Sequence, residues 1–468
     1  MNTSELRELL RQLDVVPSRR LGQNFLVDPG AAREIAAALD SGSEDYVVEI
    51  GAGTGALSDA LAGLSRHLLL IEKDHRLAGH LERRFSNRPD VSLIAGDALR
   101  FDTRTLFPEA PVRLAGNLPY SSGGEILRHF LDAPTSVSRA VLMLQSEVCD
   151  RITARPGSEG YGILSLCIQA FWEVARLRSV PPHSFHPQPK VESTALVFDP
   201  VNPERFPPFD ARLFRRLVKH GFAQRRKQLK NLLPIEPGLW LEARRHLGLA
   251  ETCRAEELDV DTWIALAREL DNHPLKDVPQ HGEERFDVVD AADQVTGSST
   301  RDEVHRRALL HRAVHVFLFN RRGELFLQKR SRLKDSHPGR WDSSASGHLD
   351  SGETYLAAAR RELCEELGQV SAGPGAPGAP DGTAPLEEIA VLPATPANGW
   401  EHIRLFAAPA RDPVRFPSSE IETGDFFPLD VIRRWVARRP GDFAGGFLEC
   451  FHAYETRAAN SSSAALHP

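Results

Sequence analysis

The chain has 468 residues, more than one compact core usually spans, so we expect at least two domains. Its 57 Lys and Arg against 64 Asp and Glu give a formal net charge of -7, which excludes a uniformly basic nucleic-acid binder. The five cysteines lack paired metal-ligand spacing, as is typical of a reducing cytoplasm, and the sequence shows neither a secretion signal nor a membrane-spanning run. We therefore expect a cytoplasmic protein without a membrane partner.

The first informative pattern is a strand followed by a glycine turn and a helix. The apolar run Tyr46–Ile50 predicts a buried strand, the turn contains Gly51, Gly53 and Gly55, and residues 56–64 predict a helix. Glycines let the backbone approach a ligand closely, and the start of a helix offers free N–H groups, so this pattern is typical of a nucleotide cradle. The same letters also satisfy a dinucleotide fingerprint, so the loop alone does not identify the ligand.

Three further predicted strands each end at a polar residue. Strands predicted at residues 67–71, 91–95 and 112–115 lead to Glu72, Asp97 and Asn117. Because such strand ends share one crevice in a doubly wound sheet, we expect these residues to meet Gly51 around one ligand. A carboxylate at Glu72 would suit the two hydroxyls of a ribose. Each acidic residue taken singly is equally compatible with a solvated loop.

The tetrapeptide Asn117-Leu118-Pro119-Tyr120 combines a side-chain amide, a rigid backbone carbonyl and an aromatic ring. The exocyclic amine of a nucleobase is a poor nucleophile because its lone pair is delocalised into the ring. An enzyme must therefore hold the base flat and accept hydrogen bonds from the amine. Asn117 and the neighbouring carbonyls can accept these bonds, and Tyr120 can stack on the base. An ordinary proline turn is the alternative interpretation.

Residues 1 to about 270 resemble the ribosomal RNA adenine dimethyltransferase family, and specifically its bacterial small-subunit branch. The resemblance rests on the patterns above and on motifs at residues 21–26 (Leu-Gly-Gln-Asn-Phe-Leu), 180–182 (Val-Pro-Pro), 185–193 and 221–229. One departure follows Tyr120, where Ser121-Ser122-Gly123-Gly124 replaces the family's usual Asn-Ile-Ser or Asn-Ile-Thr. The resemblance implies a Rossmann-like α/β methyltransferase with a small helical subdomain, using S-adenosylmethionine as cofactor.

The same resemblance implies roles for individual residues. It assigns cofactor binding to Asn24, Leu26, Gly51, Gly53, Glu72, Asp97 and Asn117. It assigns the reaction to Asn117 with the backbone carbonyls of Leu118 or Pro119, and the aromatic walls for a flipped adenine to Tyr120 and Phe185. A phenylalanine between prolines also often only pins a loop, so Phe185 has a structural alternative.

A local basic cluster compensates for the acidic balance of the whole chain. Residues 211–230 contain no acidic residue, and their basic residues include Arg215, Arg216, Lys219, Arg225, Arg226 and Lys227. This cluster predicts phosphate contacts with RNA. The family resemblance implies that the RNA is ribosomal RNA in an immature small ribosomal subunit, and no DNA partner is expected. An exposed amphipathic helix is the alternative.

The C-terminal part contains a second pattern. A hairpin is predicted from the apolar runs at residues 313–319 and 324–328. Gly347, Glu353 and Arg361 then precede Glu362, Glu365 and Glu366, whose offsets of three and four place the three carboxylates on one helix face. Such carboxylates repel one another unless a cation joins them, which predicts a Mg²⁺ or Mn²⁺ site that acts on a diphosphate.

This second pattern resembles the Nudix box, with Gln369 at its closing apolar position as a departure. The flanking sequence resembles the branch related to isopentenyl diphosphate isomerase, but Ser346 stands where such isomerases need a cysteine. The resemblance therefore implies a Nudix α/β/α domain that hydrolyses a small molecule containing a diphosphate. His311, His315 and His348 are candidates for metal or phosphate contact, or for hydrogen-bonded packing.

The predicted organisation is a methyltransferase domain at 1–204, a helical RNA-binding subdomain at 205–272, a linker at 273–284, the Nudix domain at 285–457 and a disordered tail at 458–468. A flexible insertion is predicted at residues 373–385, which are rich in Gly, Pro and Ala. Two alternative functions for the N-terminal part are methylation of large-subunit ribosomal RNA and a non-catalytic role in ribosome assembly.

Overall fold

The computed structural model describes residues 2–18, 22–271, 273, 283–369, 386–411 and 413–464. The chain forms two compact units, one of Met1–Pro207 with Ala211–Leu270 and one of Pro208–Asp210 with Asp271–Pro468. The insertion predicted at residues 373–385 and residues 274–282 of the predicted linker lie outside the described residues. The finer domain boundaries therefore stay predictions.

The first unit is built on nine strands and ten α-helices in the described residues. The strands are β1 (Phe25–Leu26), β2 (Tyr46–Ile50), β3 (His67–Glu72), β4 (Val91–Ala95), β5 (Val112–Asn117), β6 (Val137–Gln145), β7 (Trp172–Val180), β8 (Phe185–His186) and β9 (Ser193–Pro200). The helices are α1 (Thr3–Gln12), α2 (Pro29–Ala38), α3 (Ser58–Leu61), α4 (His75–Arg84), α5 (Gly123–Leu131), α6 (Ser146–Ile152), α7 (Ile163–Gln169), α8 (Ala211–Gly221), α9 (Pro237–His246) and α10 (Val260–Glu269).

The central sheet of this unit has the strand order β4-β3-β2-β5-β6-β9-β7. Strands β2 to β6 are parallel to one another, and β9 runs antiparallel to β6 and β7. Successive residues of β2 enter different cores, Val47 on one face and Val48 on the other. Burial on both faces explains why these strands read as continuous apolar runs. The Rossmann-like α/β fold predicted from the sequence is confirmed.

The helix predicted at residues 56–64 was too long. Helix α3 covers only Ser58–Leu61, because the backbone becomes extended at Ala62 and left-handed at Gly63, where φ is +87°. Such a conformation favours glycine and ends the helix. The turn before the helix has the expected positive φ angles, +71° at Gly51 and +58° at Gly53.

Helices α8, α9 and α10 follow the sheet. Helix α8 buries Leu213, Phe214 and Leu217 on one side, as its amphipathic sequence predicts. It meets α10 where Gly221 faces Trp263, and a Cβ at Gly221 would lie 2.6 Å from the Trp263 ring. A glycine is therefore required for this close helix packing.

The second unit contains the remaining strands and helices. The strands are β10 (Arg285–Val289), β11 (Val295–Thr300), β12 (His311–Phe319), β13 (Leu325–Arg330), β14 (Trp341–Asp342), β15 (Ala345–His348), β16 (Glu387–Leu392), β17 (Glu401–Pro409) and β18 (Ile421–Phe427). The helices are α11 (Arg301–Arg307), α12 (Tyr355–Leu367), α13 (Leu429–Arg438) and α14 (Gly445–Ala464). Short 3₁₀ helices occur in both units. Those of the first unit are Ala98–Arg100, Thr103–Glu109, Pro182–Ser184, Pro203–Arg205, Leu229–Asn231 and Ala255–Glu257, and that of the second unit is Pro440–Asp442.

A mixed sheet forms the middle layer of the second unit. Its order is β14-β13-β12-β17-β16, with β15 paired to β12 and β18 paired to β13. The predicted hairpin is present as the antiparallel pair β12 and β13. Val314 and Val316 pack against α12 on one face, whereas Phe317 contacts Phe447 of α14 on the other. This layering is the α/β/α arrangement predicted for this part of the chain.

Of the tail predicted to be disordered at residues 458–468, residues 458–464 continue helix α14, and residues 465–468 lie outside the described residues. No helix in the described ranges is long and apolar enough to cross a membrane.

Candidate functional sites

The parallel strand ends of the first unit surround a cavity of about 220 Å³. Most residues predicted for cofactor contact and reaction line this cavity, namely Asn24, Leu26, Gly51, Gly53, Glu72, Asp97, Asn117 and Pro119. The structure therefore brings together Gly51, Glu72, Asp97 and Asn117, as the succession of strand ends predicted. Asn24 and Leu26, which only the family resemblance indicated, line the same cavity. Their roles in binding stay predictions.

Glu72 is held by the backbone around the glycine turn. The Gly53 N–H donates to Oε2 of Glu72 at 2.8 Å, and the Asp74 N–H donates to Oε1 at 2.8 Å. Burial raises the pKa of Glu72, while these backbone donors oppose that shift. The carboxylate is thus fixed before any ligand arrives, in a position suited to a pair of ribose hydroxyls.

Asp97 lies at the more exposed rim of the cavity. Its Oδ2 accepts a hydrogen bond from Lys73 at 2.7 Å, and its Oδ1 accepts from the Leu99 N–H at 3.1 Å. The Lys73 ammonium group lowers the pKa of Asp97. Asp97 therefore favours its ionised form, which can accept a hydrogen bond from an amine such as that of adenine.

Asn117 has a defined orientation. Its Nδ2 donates to the main-chain carbonyl of Asn24 at 2.9 Å, so Oδ1 is the end left to accept a hydrogen bond. The Asn24 segment is kept close by Gly22, whose φ is +65° and where a Cβ would lie 2.9 Å from Cβ of Pro119. The N-terminal segment and the Asn117 tetrapeptide thus form one wall.

The other members of the tetrapeptide differ in their surroundings. The Leu118 side chain is buried, and its N–H donates to the Met143 carbonyl at 3.0 Å. The Pro119 carbonyl already accepts from the N–H groups of Ser122 and Gly123 at the start of α5. Of the two carbonyls predicted as acceptors, that of Leu118 is therefore the better candidate.

The two predicted aromatic walls are placed differently. Tyr120 is half-buried and its hydroxyl is 2.8 Å from Oγ of Ser193, which joins the tetrapeptide to the end of the Pro-rich loop. Phe185 is only 2% exposed, pairs with Leu26 between β8 and β1, and packs in the core instead of lining the cavity. The structure thus favours the structural alternative for Phe185, and its contact with a base stays a prediction.

The sequence reasoning missed Glu49. This residue of β2 lines the cavity, is 2% exposed, and its Oε2 has no hydrogen-bond partner among the described residues. Burial raises its pKa to about 8. The sequence did contain a signal for Glu49, because an acidic residue is unusual within an apolar strand. Its orphaned oxygen fits a cavity that takes a ligand with hydrogen-bond donors, such as the ammonium group of a methionine moiety.

The predicted RNA-binding residues fall into two groups. Arg216, Lys219, Arg226 and Lys227 are exposed. Arg215 instead pairs with Asp132 at 3.3 Å and lies over the Phe171 ring. Arg225 is also exposed, but it pairs with Glu256 and donates to the carbonyls of Ser158 and Glu159. These two arginines therefore have structural partners that sequence alone did not indicate.

In the second unit, Glu362, Glu365 and Glu366 line a cavity of about 360 Å³. Glu366 accepts hydrogen bonds from Gln328 and from the Ser346 N–H, at 3.2 and 3.0 Å. Burial and the neighbouring Glu366 carboxylate raise the pKa of Glu362 to about 8. Carboxylates that disfavour each other's ionisation in this way are suited to a divalent cation.

The glycine and arginine of the second motif position these carboxylates. A Cβ at Gly347 would lie 1.9 Å from Oε1 of Glu362, so only glycine leaves room for that side chain. Arg361 donates to Glu353, Glu362 and the His348 carbonyl, at 2.9, 2.7 and 3.0 Å. The spacing of the motif therefore has a geometric cause.

Two of the three histidines singled out from the sequence belong to one cluster. Donor atoms of His305, His311 and His348 lie within 4.8 Å of one another, and Glu401 contacts His348 at 3.1 Å. Burial lowers the pKa of His311 to about 4, and its Nε2 has no hydrogen-bond partner in the described chain. Neutral imidazoles beside a carboxylate are suited to bind a transition-metal ion.

His305 was missed from the sequence, because its position on α11, outside the second motif, gave no signal. His315 lies apart from the cluster, with Nδ1 2.7 Å from Oγ of Ser343.

These two sites define the chain as a Rossmann-like methyltransferase joined to a Nudix-type unit. The family model for "Ribosomal RNA adenine dimethylase" matches residues 17–272, and the model for "NUDIX domain" matches residues 309–443. The chain therefore belongs to the ribosomal RNA adenine dimethylase family and contains a NUDIX domain in its C-terminal part.

Curated relatives match the N-terminal part. The ribosomal RNA small subunit methyltransferase A of Geobacter metallireducens is 42% identical, over 54% of this chain and 94% of its own length. The protein of the same name from Geobacter sulfurreducens is 44% identical, with the same two coverages. A dimethyladenosine transferase from Plasmodium falciparum is similar in structure, with 24% identity, a TM-score of 0.45, and coverage of 52% of this chain and 95% of its own.

Proposed function

We propose that the first unit transfers methyl groups from S-adenosylmethionine to the exocyclic amines of adenines in small-subunit ribosomal RNA. The observation that carries this proposal is the orientation of Asn117, whose Nδ2 donates to the Asn24 carbonyl while its Oδ1 remains to accept from an amine. The cavity that Asn117 lines also contains Glu72 and Asp97, which suit a ribose and an adenine amine. The small-subunit relatives support the choice of RNA.

The proposed mechanism is direct in-line transfer. S-adenosylmethionine supplies an electrophilic methyl group bound to a positively charged sulfur. Asn117 Oδ1 and the Leu118 carbonyl accept hydrogen bonds from the two N–H groups of the target amine. These bonds stabilise the positive charge that develops on the amine nitrogen. A strong general base is not required, because the amine becomes acidic as it is methylated and its proton passes to water.

The RNA partner would contact the exposed basic residues Arg216, Lys219, Arg226 and Lys227. Phosphate contacts position an RNA without reading its sequence, so RNA shape and the state of subunit assembly select the adenine. An immature small ribosomal subunit in the cytoplasm is the proposed substrate.

The test combines cofactor titration with labelled methyl transfer to purified small-subunit and large-subunit RNA particles. The proposal expects cofactor binding and incorporation into small-subunit RNA. Incorporation only into large-subunit RNA would favour the large-subunit alternative. Particle binding without any methyl transfer would favour a non-catalytic assembly role.

We propose that the second unit hydrolyses a small diphosphate with Mg²⁺ or Mn²⁺ held by Glu362, Glu365 and Glu366. The cation would neutralise the diphosphate and activate water. The close fit of Glu362 against Gly347 supports this proposal. The test is phosphate release from a panel of diphosphates with and without Mg²⁺, and release that is insensitive to a chelator would contradict it.

A further inference from the structure

The cavity of the second unit extends past the edge of β15 to the opposite face of the sheet. Val314 and Val316 of β12 face α12, so the alternation of a strand turns Ala313 and His315 to the face covered by α14. Both Ala313 and His315 line the cavity that also contains Glu362 and Glu366. One cavity therefore has a carboxylate end and a second end on the α14 side.

The second end is an inner chamber lined by Ala313, His315, Ser346, Ala444 and Gly446. His315 and Ser346 are directly opposite each other in the pair of β12 and β15, so their side chains are on the same face. Ala313, His315 and Ala444 are each no more than 5% exposed. The wall of the chamber therefore combines small residues, two of them buried, with a buried imidazole and a partly exposed serine hydroxyl.

Gly446 leaves room for the His315 ring at the wall of the chamber. A Cβ at Gly446 would lie 3.0 Å from both Cε1 and Nε2 of the His315 ring. The other ring nitrogen, Nδ1, is 2.7 Å from Oγ of Ser343, which fixes the ring. The ring therefore packs directly against Gly446, and because Nδ1 is engaged by Ser343, Nε2 is the ring nitrogen left for a ligand in the cavity that His315 lines.

The chemistry of the chamber discriminates between ligand classes. A hydrocarbon group would displace water from His315 and Ser346 without replacing the hydrogen bonds of that water, which is unfavourable. A hydroxyl group would replace those bonds. The cavity volume of about 360 Å³ is at the lower end of ligand sites, so it suits a diphosphate with one small organic group.

We propose that the inner chamber selects a small, hydroxyl-bearing organic diphosphate, in preference to a prenyl diphosphate. This inference rests on the diphosphate hydrolysis proposed for the second unit. Water would attack the terminal phosphorus, the bond from that phosphorus to the bridging oxygen would break, and an organic monophosphate, orthophosphate and a proton would be released. The diphosphate occupies the carboxylate end with a divalent cation, and the hydroxylated group contacts His315 and Ser346.

Binding is measured by calorimetry with Mg²⁺ and two methylene-bridged, non-hydrolysable analogues, one of ribose 5-diphosphate and one of isopentenyl diphosphate. The ribose analogue is expected to bind about tenfold more tightly, as one or two additional hydrogen bonds would give. Equal or tighter binding of the isopentenyl analogue, or no binding of either, overturns the inference. Hydrolysis of ribose 5-diphosphate is assayed separately, so binding without turnover contradicts the hydrolase proposal alone.

Two variants test whether residues of the inner chamber cause the preference for the ribose analogue. Gly446→Ala pushes the His315 ring out of its position, and Ser346→Ala removes only a hydroxyl, so each is expected to weaken binding of the ribose analogue several-fold. Binding of unsubstituted methylenediphosphonate should stay unchanged, which also verifies that the variants are folded. Gly297→Ala is the matched control, because nothing lies within 4 Å of a Cβ at that position. An unchanged ribose preference in both variants would overturn the assignment.

Discussion

The Asn117 side chain is tied to the N-terminal segment by a hydrogen bond from its Nδ2 to the Asn24 carbonyl, 2.9 Å away. The acceptor is a backbone atom, so this contact does not depend on the side chain of Asn24. It fixes which end of the Asn117 amide faces the cavity. The orientation that the proposed methyl transfer needs is therefore present in the chain itself.

Asn117→Ala should lower the rate of methyl transfer by about 100-fold to 1000-fold, because the variant has no side-chain acceptor for the target amine. RNA affinity should stay largely unchanged, because the basic residues are distant in sequence and unaltered. Methyl incorporation and RNA binding are measured in parallel. The exposed Asn87 provides a matched control as Asn87→Ala. Wild-type turnover in Asn117→Ala would exclude the assigned role.

Glu49→Gln should make thermal stability less sensitive to pH. The pKa of Glu49 is about 8 in the folded protein, against about 4.3 for an unperturbed glutamate. The folded state therefore retains a proton that the unfolded state releases, and stability falls as the pH rises from about 4.3 to about 8. Melting temperatures at pH 5 and pH 8 should differ less in the variant than in the wild type.

The exposed Glu44 offers a control for that measurement, as Glu44→Gln. Identical pH dependence in Glu49→Gln and the wild type would show that Glu49 does not titrate in this range.

Gly347→Ala should reduce metal-dependent hydrolysis by about 10-fold to 100-fold, the range typical of a disturbed ligand orientation. The added Cβ would lie 1.9 Å from Oε1 of Glu362 and must displace that carboxylate. Calorimetric titration with Mg²⁺ should show weaker cation binding. Methyl transfer by the same protein serves as an internal reference, and unchanged Mg²⁺ affinity would argue against a role for Glu362 in holding the cation.

Glu365→Gln should suppress phosphohydrolase activity without altering methylation. Glu365 is the most exposed of the three carboxylates, with 44% of its side chain accessible, so its replacement should disturb folding least. The measurement is phosphate release together with methyl incorporation. Full hydrolysis by this variant would show that Glu365 is not a required ligand of the predicted metal site.

Replacing Arg216 and Lys219 together by glutamine should weaken RNA binding and reduce its salt dependence. The slope of log affinity against log salt should become shallower by about 0.7 to 0.9 for each phosphate that the variant no longer neutralises. The exposed pair Arg33 and Arg83, changed in the same way, is the control. Arg225→Gln should instead lower the melting temperature, because Arg225 holds Glu256 and two backbone carbonyls.

The sequence predicts the cofactor cavity well because parallel strands must end at one edge of a sheet. Gly51, Glu72, Asp97 and Asn117 follow directly from that rule, and the Nudix carboxylates follow from helical periodicity. The spacing of residues in a sequence does not show which side chains pack in the core, or pair with another residue, instead of lining a site. Phe185 and Arg215 are such cases, because each acquires a partner from a distant part of the chain.

The most direct measurement uses small ribosomal subunits that lack adenine methylation. These are incubated with the purified chain and labelled S-adenosylmethionine, and the modified nucleotides are identified by mass spectrometry of RNA digests. The account predicts adenines with two methyl groups on the exocyclic nitrogen, present with the wild type and absent with Asn117→Ala. Methylation of another atom or base, or a cofactor-bound protein that leaves every adenine unmodified, would contradict it.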